Sequence, residues 1–447
     1  MEASNIAVSM PRVNLKDTIE ELLKFTLQSC TNGTLEIDLG LPKELCSRLL
    51  KPEPNDLSSP SHSDSSTGIF EGIPPYPLYK RLALALHESM ASGTLFGTCN
   101  NLTIIHQESL LKEKENEWQK LILEKGSELV NVLKTVKIEL HVQEPFFSQL
   151  KDGLKTIEGR CALGNCSRYD DSSIMHIPVR LYEWGFLLSK KKKGLGDLDH
   201  SAVLSQYLTK EEFFRRIDSG SLILFNKCLL FEVQDIRSYS SFSEMMEAEG
   251  LSKVLPGVET IEQGVQIYRK FYTEEKERSN GVLAICVSKF PLQPYISLAR
   301  LLFGLSLGGL QGLLGLAHTT GSTPDALPPP TSTLLSSFVL PYKLNVEGST
   351  LTHGARALAK HAHRSSSKYW GTLDGSDSNK NRLALDVITR LMTHCCWLNV
   401  HSVQPHDVVF EIRVAEGYGA RWSEDGSKFI GFLEPYMEDG HPKGWKH

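Results

Sequence analysis

Apolar side chains recur at every third or fourth position in the first part of the chain, which is the spacing of amphipathic helices. The segments KDTIEELLKFTLQSC, YPLYKRLALALHESMASG and KEKENEWQKLILEKGSELVNVLKTV all show this period. Between the first two lies PEPNDLSSPSHSDSSTG, whose Pro- and Ser-rich composition is typical of a disordered linker. We therefore predict an α-rich N-terminal region over residues 1–134, with the linker near residues 52–77.

The hydrophobic period shortens to two at residue 135. TVKIELHV alternates as a strand does, and EPFFSQLKDG predicts a short helix that starts at Pro145 and ends at Gly153. GSLILFN, CLLFEVQDI and GVLAICVSKF predict further strands, with a turn at Asn226 and Lys227, while SFSEMMEAEG and GVETIEQGVQIYRKFY predict helices. Short strands that return to a closing strand predict a small, partly open β-barrel over residues 135–290.

A Leu-, Gly- and Pro-rich connector follows over residues 291–335. Its most apolar part, ISLARLLFGLSLGGLQGLLGLA, approaches the length of a membrane span, but Arg300, Gln311 and the glycines favour two short buried helices. In residues 336–447, EGYGARWSEDGSKFIGFLEP predicts a hairpin that packs on DVVFEIRVA. We predict an α+β C-terminal domain of unknown function, and the α+β class for the protein.

The composition is that of an ordinary globular protein. The 447 residues are 40% hydrophobic with a formal net charge of −5, so a nucleic-acid site would have to be a local basic patch. The nine cysteines include no CxxC pair, which argues against a common zinc module and for reduced thiols. The N-terminus lacks a secretory signal. We expect a cytoplasmic or nuclear protein without a membrane span, a metal or an organic cofactor.

The segment GLKTIEGR, residues 153–160, places Lys155, Glu158 and Arg160 close together at the edge of a predicted core strand. A lysine supplies a mobile positive charge and an arginine supplies a planar fork, and both bind phosphate or base oxygens. The same residues have an explanation that needs no ligand, in which Glu158 forms an ion pair with Lys155 or Arg160.

With its neighbouring strands and helices, this segment resembles an ASCH domain (activating signal cointegrator homology) of the PUA-like β-barrel superfamily. The motif Gly-x-Lys-x-x-Glu-x-Arg is present in full, at Gly153, Lys155, Glu158 and Arg160. The whole chain also resembles plant RNA-binding ASCH-domain proteins. The resemblance implies that RNA or a modified nucleoside binds in a cleft lined by these four residues, in RNA metabolism or transcription coactivation.

An enzymatic alternative follows from the same resemblance. Some bacterial ASCH proteins hydrolyse the amide of an acetylated cytidine, and the resemblance implies Lys155 and Glu249 as the matching candidates for a nucleoside amidohydrolase. The threonine that those enzymes carry is replaced by Glu158 in this chain. Because the threonine belongs to the catalytic set of those enzymes, its replacement makes ligand binding a better prediction than amide hydrolysis. Whether the protein is an enzyme stays open at this point.

A non-enzymatic scaffold that binds protein partners is the other alternative. LARLL at residues 298–302 and LQGLL at residues 310–314 match the LxxLL helix of transcriptional coactivators. The pattern is also common by chance in Leu-rich helices, and it has no such role if its leucines are buried.

About fifty residues separate the motif strand from GSLILFN, whereas shorter relatives pass almost directly between them. This insert, near residues 169–217, contains the lysine run SKKKKG, which resembles a nuclear-localisation signal. It would be either a lid over the cleft or a translated intron or gene-model error, and we favour the second reading because the segment lacks a core pattern of its own.

The C-terminal hairpin carries secondary candidates for nucleic-acid binding. Arg413, Arg421 and Trp422, with Lys428, form a predicted basic and aromatic face. An ordinary hairpin with Tyr418, Trp422 and Phe429 as cross-strand partners is the better explanation of the same pattern. No metal site is predicted, because His361 and His363 point to different faces of their helix. The histidines that such a site would need are His353, His361, His363, His401, His406 and His441.

Overall fold

The computed structural model describes residues 13–54, 71–93, 109–136, 138–162, 217–319, 321–343, 350–362 and 368–435. The predicted insert, except for its last residue, and most of the predicted linker lie outside these ranges. The chain divides into two compact units: the first comprises Met1–Leu22 and Glu128–Ser297, and the second comprises Leu23–Ser127 and Leu298–His447. The four-part division expected from the sequence stays a prediction.

Helices and strands both contribute to the described residues, which confirms the α+β class. The helices are α1 (Leu15–Asn32), α2 (Lys43–Leu50), α3 (Leu78–Ser92), α4 (Ser109–Leu121), α5 (Ser127–Thr135), α6 (Phe146–Lys151), α7 (Phe242–Glu249), α8 (Leu251–Val254), α9 (Ile261–Arg269), α10 (Glu274–Asn280), α11 (Pro294–Leu313), α12 (Thr331–Val339), α13 (His353–Ala362) and α14 (Asp377–His394), with a π-helical turn at Ile122–Gly126. The strands are β1 (Ile138–Leu140), β2 (Ile157–Cys161), β3 (Leu222–Phe225), β4 (Leu229–Tyr239), β5 (Val282–Lys289), β6 (Trp397–Val403), β7 (His406–Arg413), β8 (Gly419–Ser423) and β9 (Phe429–Leu433).

The first unit is built on a five-stranded sheet in the order β1-β3-β4-β5-β2. Strand β1 lies parallel to β3, and the other neighbours are antiparallel. The sheet curls into a half-barrel with β1 and β2 as its edges, so it is open as predicted. The β3–β4 turn is confirmed at Asn226 and Lys227, whose φ angles of 49° and 58° are both positive, as in a type I′ turn.

Helices α7 and α9 pack beside strand β2 in the core of this unit. Helix α7 begins where the Ser241 side chain accepts a hydrogen bond from the Glu244 amide, and α9 begins at Thr260 in the same way. The ring of Phe242 stacks on Tyr268 with centroids 4.0 Å apart. Both predicted helices are thereby confirmed, and they pack against the side of β2 that carries Ile157 and Cys161.

The second unit contains an antiparallel sheet in the order β6-β7-β8-β9. One face of this sheet is apolar and packs against α12, α13 and α14 in a single core. Helix α13 can approach α12 closely because Gly354 has no side chain: a Cβ there would lie 2.1 Å from the Phe338 ring. The predicted hairpin is confirmed as β8 and β9, and it leaves the opposite face of the sheet for polar residues.

Helix α11 is interrupted at Ser306, where φ is 55°, so the apolar stretch forms two short helices as predicted. It has the length and composition of a membrane span, but 56% of its most apolar window is buried inside the protein, as in a core helix. The leucines of both LxxLL matches are at most 2% exposed, which makes them core residues and removes the basis of the predicted scaffold. They are Leu298, Leu301, Leu302, Leu310, Leu313 and Leu314.

Candidate functional site

Lys155 of the GLKTIEGR segment lies in the interior of the first unit, with 1% of its surface exposed. Its Nζ donates to the carbonyl oxygens of Ile157, at 2.8 Å, and Val254, and lies 3.2 Å from Glu158 Oε2. Burial lowers the pKa of Lys155, against the opposing effect of the Glu158 carboxylate. The three donors of the ammonium group are thus directed at the protein itself.

Glu158 joins Lys155 to Arg160, because the Glu158 Oε1 atom lies 2.8 Å from Arg160 Nε. Arg160 Nη2 also donates to the carbonyl oxygen of His141, at 2.6 Å. Burial would lower the pKa of Arg160, but the Glu158 carboxylate and two nearby tyrosines raise it above its ordinary value. Gly153 has a φ of 75° and ends α6, as expected. The motif is therefore an internally paired cluster at the start of β2.

The Glu249 carboxylate accepts hydrogen bonds from residues other than Lys155. Its Oε2 accepts a hydrogen bond from Arg237 Nη1 at 2.7 Å, and its Oε1 accepts one from the Tyr239 hydroxyl at 2.6 Å. In the part of the chain that the structure describes, no contact joins the Glu249 carboxylate to the Lys155 ammonium. The two groups proposed for amide hydrolysis are each held by different neighbours.

The polar face of the C-terminal sheet collects charged side chains from three strands. Glu411 of β7 pairs in register with Asn399 of β6 and with Arg421 of β8. Because side chains alternate along a strand, His401 and Arg413 lie on the same face as these residues. We call this the charged sheet face, and it consists of Asn399, His401, Glu411, Arg413 and Arg421.

Glu411 is the centre of the charged sheet face and is 3% exposed as a side chain. Arg421 donates to its Oε2 atom from Nε at 3.0 Å and from Nη2 at 2.6 Å, and Arg413 Nε donates to Oε1 at 2.7 Å. His401 Nε2 lies 3.3 Å from Oε2. Burial alone would raise the pKa of Glu411, but His401 and the two arginines lower it to about 2. Glu411 therefore stays ionised at neutral pH.

The two arginines differ in how firmly the protein holds them. Arg413 Nη1 also donates to the carbonyl oxygens of Gly417, at 2.6 Å, and Glu434, at 3.1 Å. Among the residues that the structure describes, Arg421 is held through two of its three guanidinium nitrogens, both directed at Glu411. Since a guanidinium has five N–H groups, Arg421 retains donors for a further acceptor, while Arg413 mainly closes the end of the hairpin.

Asn399 at the edge of the charged sheet face is fixed by a neighbouring segment. Its Oδ1 accepts from Ser322 Oγ at 3.0 Å, and its Nδ2 donates to Thr319 Oγ1 at 2.8 Å. The same segment bonds to the backbone of β6 through Ala317 and Thr323. Asn399 therefore holds the edge strand in place, and His401 and Arg421 are the better candidates for contact with a ligand.

Trp422, the third secondary candidate, lies on the other face of the sheet from Arg413 and Arg421. It is fully buried, and its Nε1 donates to the Leu334 carbonyl oxygen at 3.2 Å. The expected cross-strand pair with Phe429 is confirmed, with ring centroids 5.3 Å apart. Tyr418 instead stacks on Tyr369 at 3.6 Å. Because alternation puts adjacent strand residues on opposite faces, Trp422 serves the core.

Among the residues described, the histidines that a metal site would need do not come together. His361 Nδ1 lies 2.8 Å from Glu434 Oε1, which also accepts from Trp370 Nε1 at 2.7 Å. Within the described ranges, no group of three or more His, Cys, Asp or Glu side chains could hold a metal ion. His363 and His441 lie outside those ranges.

Sequence reasoning missed Glu411 and considered His401 only as a metal ligand. The signal was present in DVVFEIRVA, where Glu411 and Arg413 alternate with Phe410 and Ile412. Two charges at alternate positions of a strand whose other positions are apolar indicate one charged face over a core. His401 occupies the equivalent kind of position in WLNVHSV.

Residues 343–434 match the family model of the CdiA C-terminal tRNase toxin domain. This segment contains α13, α14, β6 to β9 and the whole charged sheet face, but it is too small a part of the chain to assign the whole chain to that family. A search of curated proteins finds no match.

Two similar solved structures are an NMR structure of PF0455 from Pyrococcus furiosus and the crystal structure of hypothetical protein PH0355. PH0355 is 33% identical over 34% of this chain and 97% of its own, with a TM-score of 0.22. PF0455 is 32% identical over 35% of this chain and 98% of its own, with a TM-score of 0.21. TM-scores of this size carry no argument about the fold.

The function predicted from the ASCH resemblance is contradicted by the family match. The RNA-related match lies on residues 343–434, outside the segment with Gly153, Lys155, Glu158 and Arg160. The physical reason lies in the motif charges, which are directed at one another and at backbone carbonyl groups. Binding of RNA or a nucleoside in that cleft, and amide hydrolysis by Lys155 and Glu249, are therefore set aside.

Proposed function

We propose that the C-terminal part of the second unit cleaves RNA of the tRNA class at the charged sheet face. One observation supports this proposal: the family match and the charged sheet face lie in the same segment. The segment that matches a tRNase toxin domain, residues 343–434, is also the segment whose sheet presents a histidine, an ionised glutamate and two arginines away from the core.

The reaction that suits these side chains is transfer of a phosphodiester to the neighbouring ribose hydroxyl. The 2′-oxygen forms a bond to phosphorus, and the bond from phosphorus to the 5′-oxygen breaks. The 2′-hydroxyl loses a proton to a base of the protein, the leaving 5′-oxygen gains one from water, and negative charge builds up on the phosphate oxygens. The site therefore needs a proton acceptor beside the 2′-hydroxyl and a cation beside the phosphate.

His401 is the proton acceptor in this proposal. Glu411 is ionised and can only accept, so the Nε2 atom of His401, 3.3 Å away, carries the proton that points at it. The lone pair of Nδ1 is then left to take the 2′-hydroxyl proton. Glu411 itself is a positioning residue, because a carboxylate with a pKa of about 2 is too weak a base at neutral pH.

Arg421 is the phosphate ligand in this proposal. The two hydrogen bonds from Nε and Nη2 to Glu411 Oε2 fix the guanidinium on the sheet, and the donors that do not face Glu411 remain for a phosphate oxygen. A preorganised cation of this kind stabilises charge that develops during the reaction. Arg413 supports it by holding the other oxygen of Glu411.

The experiment is cleavage of 5′-labelled tRNA by the full-length protein and matched histidine variants. We expect the wild type to produce fragments with 2′,3′-cyclic phosphate ends, and His401→Ala to be at least 100-fold slower, since a general base contributes about that much or more. His406→Ala, at an exposed position of β7, is the control and keeps the wild-type rate. A folded wild type that cleaves no tRNA, or equal rates in wild type and His401→Ala, contradicts the proposal.

A second pair of variants tests the arginine separately. Arg421→Gln is expected to lower kcat more than it raises KM, because its contact strengthens as charge develops on the phosphate. Lys428→Gln removes an exposed cation from the β8–β9 turn and controls for loss of net charge. Circular dichroism establishes that both variants are folded. Equal losses of activity in the two variants would refute a specific role for Arg421.

At the level of fold only, we propose that the first unit is ASCH-like. The complete motif from Gly153 to Arg160 and the curled five-stranded sheet support this, and no RNA function is attached to it. An experimental structure of the chain, superposed on ASCH domains, tests the proposal. A cytoplasmic or nuclear location stays a prediction, which microscopy of a tagged chain would check.

A further inference from the structure

Two cysteines with no part in the proposed function lie side by side in the second unit. Cys30 is in the last turn of α1 and Cys46 is in α2, and their sulfur atoms are 3.6 Å apart. Cys46 is fully buried, while Cys30 is partly exposed. One member of the pair is therefore open to small molecules, and the other is enclosed by the protein.

Both cysteines sit on backbone that is held in place. The chain leaves α1 through Gly33, whose amide donates to the Cys30 carbonyl oxygen at 3.1 Å and whose φ of 69° suits a helix end. The Cys46 amide donates to the Pro42 carbonyl oxygen at 3.1 Å at the start of α2. A disulfide bond is about 2.05 Å long, so the sulfurs need to approach by only about 1.5 Å.

We propose that Cys30 and Cys46 form a reversible disulfide on exposure to a peroxide, which makes this pair an oxidative modification site. In the first step, the Cys30 sulfur bonds to a peroxide oxygen, the O–O bond breaks and water leaves. In the second, the Cys46 sulfur bonds to the Cys30 sulfur, the S–O bond breaks, and hydroxide leaves with the Cys46 proton as water. Two thiols are oxidised and one peroxide is reduced to two waters.

The environments of the two thiols determine this order. Burial, with a further contribution from Cys30, raises the pKa of Cys46 to about 12, so this thiol stays protonated and is a poor first nucleophile. Cys30 is the member that a peroxide can reach. Once Cys30 is oxidised, Cys46 is already at van der Waals distance and completes the bond without diffusion.

The bond would join the end of α1 to α2 across the loop between them. The two residues are sixteen positions apart in sequence. A cross-link of this span removes freedom from the unfolded chain, so we expect the oxidised protein to melt a few degrees above the reduced protein. A thiol reductant would reverse the change.

Trypsin provides a direct test, because the cysteines fall in separate peptides. Cys30 lies in FTLQSCTNGTLEIDLGLPK and Cys46 in ELCSR. The folded full-length protein is treated with hydrogen peroxide, alkylated and digested without reductant. We expect mass spectrometry to find the two peptides linked, two hydrogens lighter than their sum, and to find them separate after dithiothreitol. Both peptides alkylated after treatment would overturn the proposal.

Cysteine variants make the test specific. In Cys46→Ser the sulfenic acid on Cys30 has no partner, so a dimedone adduct is expected on Cys30 in place of the linked peptides. Cys396→Ser removes a partly exposed thiol elsewhere and should leave the linked peptides unchanged. Oxidation of wild-type Cys30 to sulfinic acid before any linkage, or linkage of Cys30 to a different cysteine, would refute the pair.

Discussion

Glu411 and Arg421 are directly paired across strands β7 and β8, and both the Nε and Nη2 atoms of the arginine donate to one oxygen of the carboxylate. The carboxylate is almost completely buried and the arginine is largely covered. Removal of one partner therefore leaves the other with a charge that water cannot fully solvate. This pair sets both the stability of the sheet and its response to acid.

Glu411→Gln is expected to lower the free energy of unfolding by about 3 kcal/mol, because it leaves Arg413 and Arg421 without a counter-ion. Urea denaturation followed by tryptophan fluorescence measures the change. Glu424→Gln replaces an exposed carboxylate in the β8–β9 turn and is expected to change stability by less than about 0.5 kcal/mol. Equal denaturation midpoints for wild type and Glu411→Gln would show that the pair contributes nothing.

The same residue predicts how stability depends on pH. The pKa of Glu411 is lowered from an ordinary 4.5 to about 2, so the unfolded chain takes up a proton before the folded one does. The stabilising contribution is fully present above about pH 4.5 and is lost as the pH falls toward 2. The stability gap between wild type and Glu411→Gln should narrow over this range in a series of urea titrations. A gap that stays constant with pH would contradict the assignment.

Two substitutions in the first unit should have unequal effects although they break the same ion pair. Lys155→Met leaves Glu158 paired with Arg160, whereas Glu158→Gln leaves the buried Lys155 ammonium with carbonyl oxygens alone. We expect Glu158→Gln to destabilise the protein by about 1–2 kcal/mol more than Lys155→Met does. Chemical denaturation measures both, with exposed Lys253→Met as the control. Equal losses would count against this account of the cluster.

Alanine substitutions at two helical glycines should change the stability of the protein in opposite directions. Gly354→Ala would place a Cβ 2.1 Å from the Phe338 ring, and we expect a loss of about 2 kcal/mol because both helices are fixed in the core. Gly312→Ala in α11 meets no atom within 4 Å, so the better helix former should stabilise the protein by about 0.5 kcal/mol. Melting temperatures should move in opposite directions. A Gly354→Ala variant as stable as the wild type would disprove the close contact.

Many of the local elements could be predicted because their signals depend on neighbours in the chain. The apolar runs in GSLILFN and CLLFEVQDI marked β3 and β4, and the polar residues Asn226 and Lys227 between them marked the turn. Both LxxLL matches were misleading because the leucine spacing depends only on neighbours in the chain. Whether the leucines face a partner or the core depends on distant segments, and here they are buried.

The motif charges illustrate what local pattern leaves open. Lys155, Glu158 and Arg160 are close in sequence whether they face a ligand or one another. The carbonyl oxygen of Val254 that accepts from Lys155 lies 99 positions away. Likewise, the Ser322 hydroxyl that fixes Asn399 is 77 positions distant. Packing of remote segments therefore decided that the motif is an internal cluster.

The amino-acid order alone determined which stretches are helical or extended and which side of β7 carries Glu411 and Arg413, since side-chain direction follows from backbone geometry within a few residues. Tertiary structure alone decided that His401, Glu411 and Arg421 from three strands meet on one face, and that Cys30 lies beside Cys46. Such contacts depend on strand register and on how helix ends pack. Those features arise from the summed burial of many side chains, which no short window of sequence contains.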